Sequence, residues 1–392
     1  MRTWPLRVVS VGLVVALGLV AACSTDDGSA IPPASSSNTE TTVATTLETS
    51  STSAADSTTT VVAVGVDEGL LAEQVDAVVF PDDQGAAMVA VLHDDDSIVH
   101  AGRGSDQDGN SPVPGSVFRV GSITKVFTSL LTLTLADEGA IDLDAPAADY
   151  VARVAVPTGV TVRDLLQHTS GLPNYTDAPG FFESVSDDPQ RTWSPEETIA
   201  GVQDAEPLFD PGARFSYSNT NYLVLGVLIE EVTGHSYADE LRARIIEPLG
   251  LTSTYLAGFE EGPAPFGAYV ATSLSGPSEP IDFDYKSIAT NAWAAGAVVS
   301  SAEDLHVLLS VMFDGNIVSS DSLAAMTESQ DYGLGLVQLG PGLHGHGGSI
   351  PGYQTFVAHA PETGTTAFFV VTNDGITRPP PVDPILERIT QN

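Results

Sequence analysis

Strand-like patterns at both ends of one long segment, with helical patterns between them, constrain the fold of this chain most strongly. Ala86–His93 is an apolar run, and a polar turn separates it from a second short run at Ser97–Ala101, which predicts a β-hairpin. β-like runs return near the C-terminus at Leu334–Leu339, Gln354–His359 and Thr366–Thr372. We therefore expect an α+β fold in which both termini build one antiparallel sheet, flanked by helices and interrupted by an inserted helical region.

The residues between these runs carry the 3.6-residue spacing of amphipathic helices. The clearest case is Ser122–Glu138, which ends at the stop signal Gly139. The same spacing predicts four further helices, at Val162–Gln167, Tyr222–Val232, Tyr237–Ile246 and Ala302–Phe313. The sequence contains no internal repeat.

The N-terminus has the features of an export signal. Arg2 and Arg7 precede the apolar stretch Val8–Val20, which is too short for a membrane span, so residues 1–22 are expected to form a signal peptide. Val20-Ala21-Ala22-Cys23 resembles a bacterial lipobox, and Cys23, the single cysteine, cannot form an internal disulfide. Lipidated Cys23 would anchor the protein to the outer face of a bacterial membrane. The alternative is an ordinary signal peptide with an incidental cysteine.

A polar segment follows the cysteine. Residues 24–60 contain 20 Ser or Thr in 37 positions and no basic residue, so they cannot bury enough apolar surface to fold. We expect residues 23–65 to be a disordered tether and residues 66–392 to form the folded domain. The tether would hold that domain close to the membrane.

The charge balance limits the partners. The chain has 51 acidic and 14 basic residues, a net charge of −37, which repels nucleic acid and anionic headgroups. We therefore expect no nucleic-acid partner and no membrane contact apart from the lipid anchor. Lys125 and Lys286 are the only lysines.

The first chemical motif opens the long predicted helix. Ser122 and Lys125 are three residues apart, so their side chains share a helix face. A serine hydroxyl becomes a nucleophile when a neighbouring base accepts its proton, and a buried lysine at a helix N-terminus can serve as that base. Alone, the pair is a weak signal, and Ser122 as a simple N-cap is the alternative.

The second motif is Tyr217-Ser218-Asn219, after the turn at Pro211-Gly212. In an extended segment, residues two apart project to the same side, so Tyr217 and Asn219 could face one cleft. A tyrosine hydroxyl near an ammonium can relay a proton, and an amide can hold a substrate carbonyl. A buried core tyrosine is the alternative.

The third motif is His344-Gly345-His346-Gly347-Gly348-Ser349, placed at the start of a predicted strand. Its glycines would allow another backbone or a ligand to approach closely. A glycine turn is one alternative. A metal pair is another, although two histidines without nearby cysteine or carboxylate ligands make a poor zinc site.

In this order the three motifs resemble the S-x-x-K, Y-x-N and H/K-x-G motifs of the serine β-lactamase and D-alanyl-D-alanine carboxypeptidase superfamily, in particular the class C β-lactamase-like branch. The resemblance extends from about Val66 to near the C-terminus. It includes the segments Val162–Leu172, Pro211–Gly226, Ala295–Leu305 and Tyr332–Leu336. It implies the β-lactamase/transpeptidase-like fold.

The resemblance also implies roles for individual residues. Ser122 would be acylated, Lys125 and Tyr217 would share the base and acid roles, and the N–H groups of Ser122 and Ser349 would form an oxyanion hole. Asn219 would contact the substrate amide, and His346 would help to hold the hydroxyl network. His168 would be structural. The substrate-binding set is Asn219, Trp293, His346, Gly348 and Ser349, although core packing explains Trp293 equally well. No metal or organic cofactor is implied.

The function expected from this resemblance is that of a cell-envelope serine hydrolase, most closely a D-alanyl-D-alanine carboxypeptidase acting on peptidoglycan peptides. A β-lactamase, an esterase and a non-catalytic penicillin- or wall-binding lipoprotein are alternatives. One departure weighs against a strict carboxypeptidase: Val337-Gln338-Leu339, where some carboxypeptidases carry an arginine for the free carboxylate, contains no basic residue. We expect a monomer acting on a small molecule or peptide.

Overall fold

The computed structural model describes residues 66–391 except 81–82, 95, 272–277, 282–285, 329–331 and 377–381. The predicted signal peptide, the lipidation site Cys23 and the tether therefore lie outside the described residues. In chain order the helices are α1 (Glu68–Asp76), α2 (Thr124–Asp137), α3 (Val162–Leu166), α4 (Phe181–Asp187), α5 (Pro195–Ala200), α6 (Asn219–Thr233), α7 (Tyr237–Leu241), α8 (Lys286–Gly296), α9 (Ala302–Phe313), α10 (Ser320–Thr327) and α11 (Asp383–Ile389).

The strands are β1 (Gly85–His93), β2 (Ile98–Ser105), β3 (Val117–Arg119), β4 (Tyr255–Leu256), β5 (Tyr269–Ala271), β6 (Ser278–Pro280), β7 (Val298–Ser301), β8 (Val337–Gly340), β9 (Leu343–Ile350), β10 (Tyr353–Ala360) and β11 (Thr365–Val371). The main sheet has the order β2-β1-β11-β10-β9-β8, and every neighbouring pair is antiparallel. Smaller sheets have the orders β3-β7-β4 and β5-β6.

The pairing of β1 with β11 joins the two ends of the domain, as the sequence predicted. Both strands are buried along their whole length because helices cover both faces of the sheet centre. On one face α9 packs against β1, β10 and β11 and shares one apolar core with α2 and α6, and on the other face a second core holds α1 and α11. The predicted α+β fold, with its terminal sheet and inserted helices, is confirmed.

Two predicted elements differ in detail. The helix predicted at Tyr237–Ile246 is α7 followed by a π-helical turn at Arg242–Ile246. The histidine–glycine motif begins one residue after the start of β9 and, beyond what was predicted, forms most of that strand. No helix in the described ranges is both long and apolar enough to cross a bilayer.

Candidate active site

Ser122 lies where the chain passes from β3 into the buried helix α2, in a short 3₁₀ turn at Gly121–Ile123. Gly121 has φ +53°, and a Cβ there would lie 2.8 Å from the nitrogen of Ser349. A Cβ on Gly348 would lie 1.9 Å from the carbonyl oxygen of Val120. These two glycines therefore let β9 approach the turn, which is the close backbone approach that the third motif predicted.

Lys125 is the centre of the hydrogen bonding. Its Nζ donates to Ser122 Oγ at 3.0 Å, to Asn219 Oδ1 at 2.8 Å and to the carbonyl oxygen of Ala295 at 2.7 Å. The side chain is 0% exposed. Among the described residues, no carboxylate forms an ion pair with it.

Burial lowers the pKa of Lys125 well below its ordinary value of 10.5, because the ammonium loses its hydration. The rings of Tyr217 and Tyr222 lie 5.0 and 5.3 Å from Nζ and favour the charged form. These weak contacts do not replace a carboxylate, so desolvation dominates. A neutral amine can donate to Asn219 and to the Ala295 carbonyl and still accept the Ser122 proton.

Tyr217 completes the contacts of the serine, because its hydroxyl donates to Ser122 Oγ at 2.8 Å. Burial raises the pKa of Tyr217, so the phenol keeps its proton at neutral pH. Tyr217 and Asn219 do converge on one site, as the spacing predicted. The sequence did not predict that Asn219 would hold Lys125 through its side-chain oxygen.

His168 fixes the backbone on both sides of Tyr217. Its carbonyl oxygen accepts the N–H of Ser216 at 2.9 Å, and its Nδ1 accepts the N–H of Ser218 at 3.2 Å. The imidazole packs against the Tyr217 ring with a centroid distance of 4.3 Å. Burial lowers the pKa of His168 well below 6.5, so the ring is neutral and Nδ1 can accept.

The predicted site residue His346 contacts a tyrosine that sequence reasoning did not single out. Its Nε2 accepts from the Tyr332 hydroxyl at 3.0 Å, and its Nδ1 donates to the Gly347 carbonyl oxygen at 2.5 Å. Burial lowers the pKa of His346 to about 3, so the ring is neutral. His346 thus joins the hydroxyl network through Tyr332 and has no direct bond to Ser122. The Tyr-Gly-Leu-Gly stretch contained the signal for Tyr332.

The expectation that Trp293 lines the cleft is corrected. The side chain is 2% exposed and packs edge-on to Tyr237 within the core, 5.3 Å between ring centroids. Its backbone is kinked, with φ 35° and ψ −123°, inside α8. The kink precedes the carbonyls of Ala294 and Ala295, which accept hydrogen bonds from Thr128 and Lys125 on α2. Trp293 therefore acts on the site through packing.

His344 and His346 do not face a common metal site. The His344 ring packs on Phe313, with 5.3 Å between ring centroids, whereas His346 contacts Tyr332.

The assembled site is the hydroxyl of Ser122, held between the low-pKa amine of Lys125 and the neutral phenol of Tyr217. Such an arrangement can form and release an acyl ester.

Comparison with known proteins identifies a family of hydrolases. The profile of the family described as Beta-lactamase matches residues 75–392. Penicillin-binding protein 4* of Bacillus subtilis is 28% identical over 265 residues, 62% of this chain and 57% of that protein. The teichoic acid D-alanine hydrolase of Staphylococcus aureus is 28% identical over 205 residues, 52% of this chain and 47% of that protein.

A D-stereospecific amidohydrolase from Streptomyces sp. is similar in structure, with a TM-score of 0.69 and 29% identity over 79% of this chain and 95% of that one. This chain spans about half the length of the two curated relatives. The match of the family profile, over most of the chain and across the whole site, is decisive. This chain belongs to the β-lactamase family of serine hydrolases.

Proposed function

We propose that this chain is an exported serine hydrolase that cleaves the bond after the carbonyl of a D-amino acid, through an acyl-enzyme on Ser122. The observation that carries the proposal is the hydrogen-bonded unit of Ser122, Lys125, Tyr217 and Asn219. It contains a nucleophile, a base of depressed pKa and a neutral acid within 3.0 Å of the nucleophilic oxygen. A decayed, non-catalytic site would not need to keep all three.

Acylation follows from these contacts. Ser122 Oγ attacks the substrate carbonyl carbon while its proton passes to the neutral amine of Lys125. The N–H groups of Ser122 and Ser349 hold the developing oxyanion. The Oγ–carbonyl bond forms, the bond to the leaving nitrogen or oxygen breaks, and the Tyr217 hydroxyl protonates the leaving atom. The Lys125 ammonium then returns a proton to Tyr217, so that the amine and the phenol are both neutral before deacylation.

Deacylation reverses the proton path. A water molecule gives its proton to the Lys125–Tyr217 pair and attacks the ester, and Ser122 recovers its hydrogen. Asn219 keeps Lys125 in place, and its amide N–H group is available for the substrate. The steps need no metal or redox partner.

The identity of the acyl group is supported by the relatives. The names of two of them, a teichoic acid D-alanine hydrolase and a D-stereospecific amidohydrolase, specify a D-configured substrate. The reaction expected from the sequence is carboxypeptidase cleavage of D-alanyl-D-alanine in peptidoglycan. An exported protein anchored through Cys23 would reach that substrate, and we propose that location together with a monomeric state.

A second candidate is hydrolysis of a D-aminoacyl ester or amide with a neutral leaving group. It is favoured by the scarcity of cations. Within 66–392 the sequence has only ten arginines and two lysines. In the described part of the chain, five of those arginines form ion pairs with acidic side chains: Arg153, Arg163, Arg191, Arg242 and Arg244.

Product analysis would test the proposed function. The domain 66–392 is incubated with an acylated D-alanyl-D-alanine, a D-alanyl ester, a D-amino acid amide and their L-isomers. We expect release from the D-isomers, with loss of activity in Ser122→Ala. Equal cleavage of the L-isomers, or activity that survives Ser122→Ala, would refute the proposal.

A further inference from the structure

Phe215 presents an aromatic ring to solvent beside His168 and Tyr332, the two rings that pack around Tyr217. It is 48% exposed. It lies in the non-helical segment that leads into α6, two residues before Tyr217. Residues two apart in extended chain project to the same side, so Phe215 is placed on the side of the segment that carries the Tyr217 ring.

The neighbours of Phe215 define a wall. Its ring centroid lies 5.8 Å from that of Tyr332 and 5.9 Å from that of His168. Tyr332 in turn bonds to His346 on β9. Phe215 is the exposed member of this group, and Tyr332 and His346 are buried behind it. We call the exposed Phe215 ring, backed by Tyr332 and His346, the aromatic wall.

The aromatic wall lies on the leaving-group side of the site. Under the proposed function, Tyr217 protonates the leaving atom, so the leaving group must face the Tyr217 hydroxyl. The Tyr332 ring lies 6.5 Å from the Tyr217 ring, and Phe215 packs on Tyr332. A leaving group larger than ammonia or methanol would therefore extend along this wall.

The aromatic wall carries no charge. Burial lowers the pKa of His346 to about 3 and raises that of Tyr332, so both side chains are neutral at pH 7. Arg214, the nearest cation in sequence, lies over the Phe209 ring at 4.1 Å. Lys125, whose charge acts on His346, is neutral in its active form, so a carboxylate at the wall would lose hydration without gaining a permanent ammonium partner.

We propose that the aromatic wall is a leaving-group subsite for an uncharged, apolar alcohol or amine, and that it disfavours an amino acid with a free carboxylate. This inference rests on the proposed function and favours its second candidate, the hydrolysis of a D-aminoacyl ester or amide with a neutral leaving group. The acyl group stays a D-amino acid. The bond broken is an ester or amide whose leaving group stacks on Phe215.

The test compares substrates that share one D-alanyl acyl group. D-alanine and D-alanine amide are leaving groups of equal size that differ in charge, and benzylamine supplies an aromatic one. kcat/KM is the quantity measured, because it reports acylation, the step in which the leaving group departs. We expect the amide of D-alanine to be preferred over D-alanine itself by about tenfold or more.

Substitutions of Phe215 form the second part of the test. Phe215→Ala should lower kcat/KM for the benzylamide about tenfold and leave a methyl ester nearly unchanged. Phe215→Arg should raise kcat/KM for the substrate with the free carboxylate. Phe259→Ala, which truncates another exposed phenylalanine (43% exposed), is the matched control and should change none of the substrates.

The outcomes separate the subsite from the proposed function. Preference for the free carboxylate in the wild type, or an equal loss on every substrate in Phe215→Ala, would overturn the subsite while the hydrolase assignment stands. Failure of the wild type to cleave any member of the series would overturn the proposed function and the subsite with it. Selective loss on the benzylamide supports both.

Discussion

At the residue scale, the site depends on Lys125 being a buried amine without a carboxylate partner. Its three hydrogen-bond acceptors come from Ser122, Asn219 and the backbone of Ala295. A carboxylate in any of these places would keep the ammonium charged and unable to act as a base. An amide and a carbonyl orient the amine without raising its pKa as strongly.

The pH profile of kcat/KM should show the lowered pKa of Lys125. Activity should rise with pH as Lys125 loses its proton, with the midpoint well below the ordinary 10.5, because the neutral amine is the active form. It should fall again only above pH 10, where Tyr217 with its raised pKa ionises. Lys125→Arg, which cannot deprotonate, should lower kcat by about 10³-fold. An arginine variant with the wild-type profile would contradict the role of Lys125.

His168 should matter for rate through Tyr217. We expect His168→Ala to lower kcat about 10- to 100-fold with little change in KM, because the phenol loses its alignment. His168 has φ 59°, a conformation that asparagine tolerates. His168→Asn would supply a side-chain oxygen to accept the N–H of Ser218 in place of Nδ1, so it should recover most of that loss. Equal losses in both variants would mean that His168 has only a structural role.

Motif spacing predicted that Ser122 would meet Lys125 and that Tyr217 and Asn219 would face one cleft, and the family resemblance implied that the two pairs share one site. The sequence did not predict how they are held. His168 reaches the Tyr217 ring through a positive φ and accepts the N–H of Ser218 with its ring nitrogen, and neither feature follows from local sequence. Trp293 was expected in the cleft because tryptophan suits both a cleft and a core.

At the element scale, α2 is fixed to the kink in α8. Thr128 on α2 donates to the Ala294 carbonyl, and Lys125 donates to that of Ala295. Gly226 on α6 makes the kink possible, because a Cβ there would lie 2.7 Å from both Ala294 Cβ and Trp293 Cζ3. The helices α2, α6 and α8 therefore pack against one another next to Lys125.

Gly226→Ala tests this junction. Glycine to alanine in a helix normally stabilises by up to about 1 kcal/mol, whereas overpacking a core costs about 1–3 kcal/mol. We expect the free energy of unfolding in urea to fall by about 1–3 kcal/mol and kcat to fall with it, as the Ala295 carbonyl moves from Lys125. Gly340→Ala, where a Cβ would meet nothing within 4 Å, is the control. A more stable Gly226→Ala would contradict the account.

Element boundaries show the limits of periodicity. The apolar spacing of Ser122–Glu138 predicted the helix, but the regular α-helix begins at Thr124 because Gly121 turns the chain with positive φ into a 3₁₀ turn. The histidine–glycine stretch lacks the alternation of a strand. It becomes β9 because it pairs with β8 and β10, a tertiary effect.

At the scale of the whole molecule, charge and buried histidines act in opposite directions as the pH falls. Protonating the surplus carboxylates of a chain with net charge −37 relieves repulsion and stabilises the fold. Near one end of the main sheet, His359 is bonded to Thr366, and the charges of His306, His344 and Asp94 act on it. Burial lowers the pKa of His359 to about 4.

His359 should make the fold sensitive to acid. Between pH 6.5, the ordinary pKa, and about pH 4, His359 is protonated in the unfolded chain but not in the folded chain. The free energy of unfolding therefore decreases as the pH falls through that range. The full effect is about 3 kcal/mol. His359→Gln can still bond to Thr366, and urea midpoints from pH 7.5 to 4 should fall less steeply than in the wild type. His100→Gln, at an exposed position, should follow the wild type; parallel curves for all three proteins would refute the assignment.

Acylation of Ser122 is tested by the intact mass of the protein quenched in acid during turnover of an activated D-alanyl ester whose leaving group carries no carboxylate. We expect one adduct of the mass of the acyl group, absent in Ser122→Ala and retained in Ser129→Ala, which removes a buried hydroxyl from the same helix. A persistent adduct indicates slow deacylation, and a transient one indicates rapid turnover. No adduct on the wild type, or an adduct that survives Ser122→Ala, would contradict the assignment of Ser122 as the nucleophile.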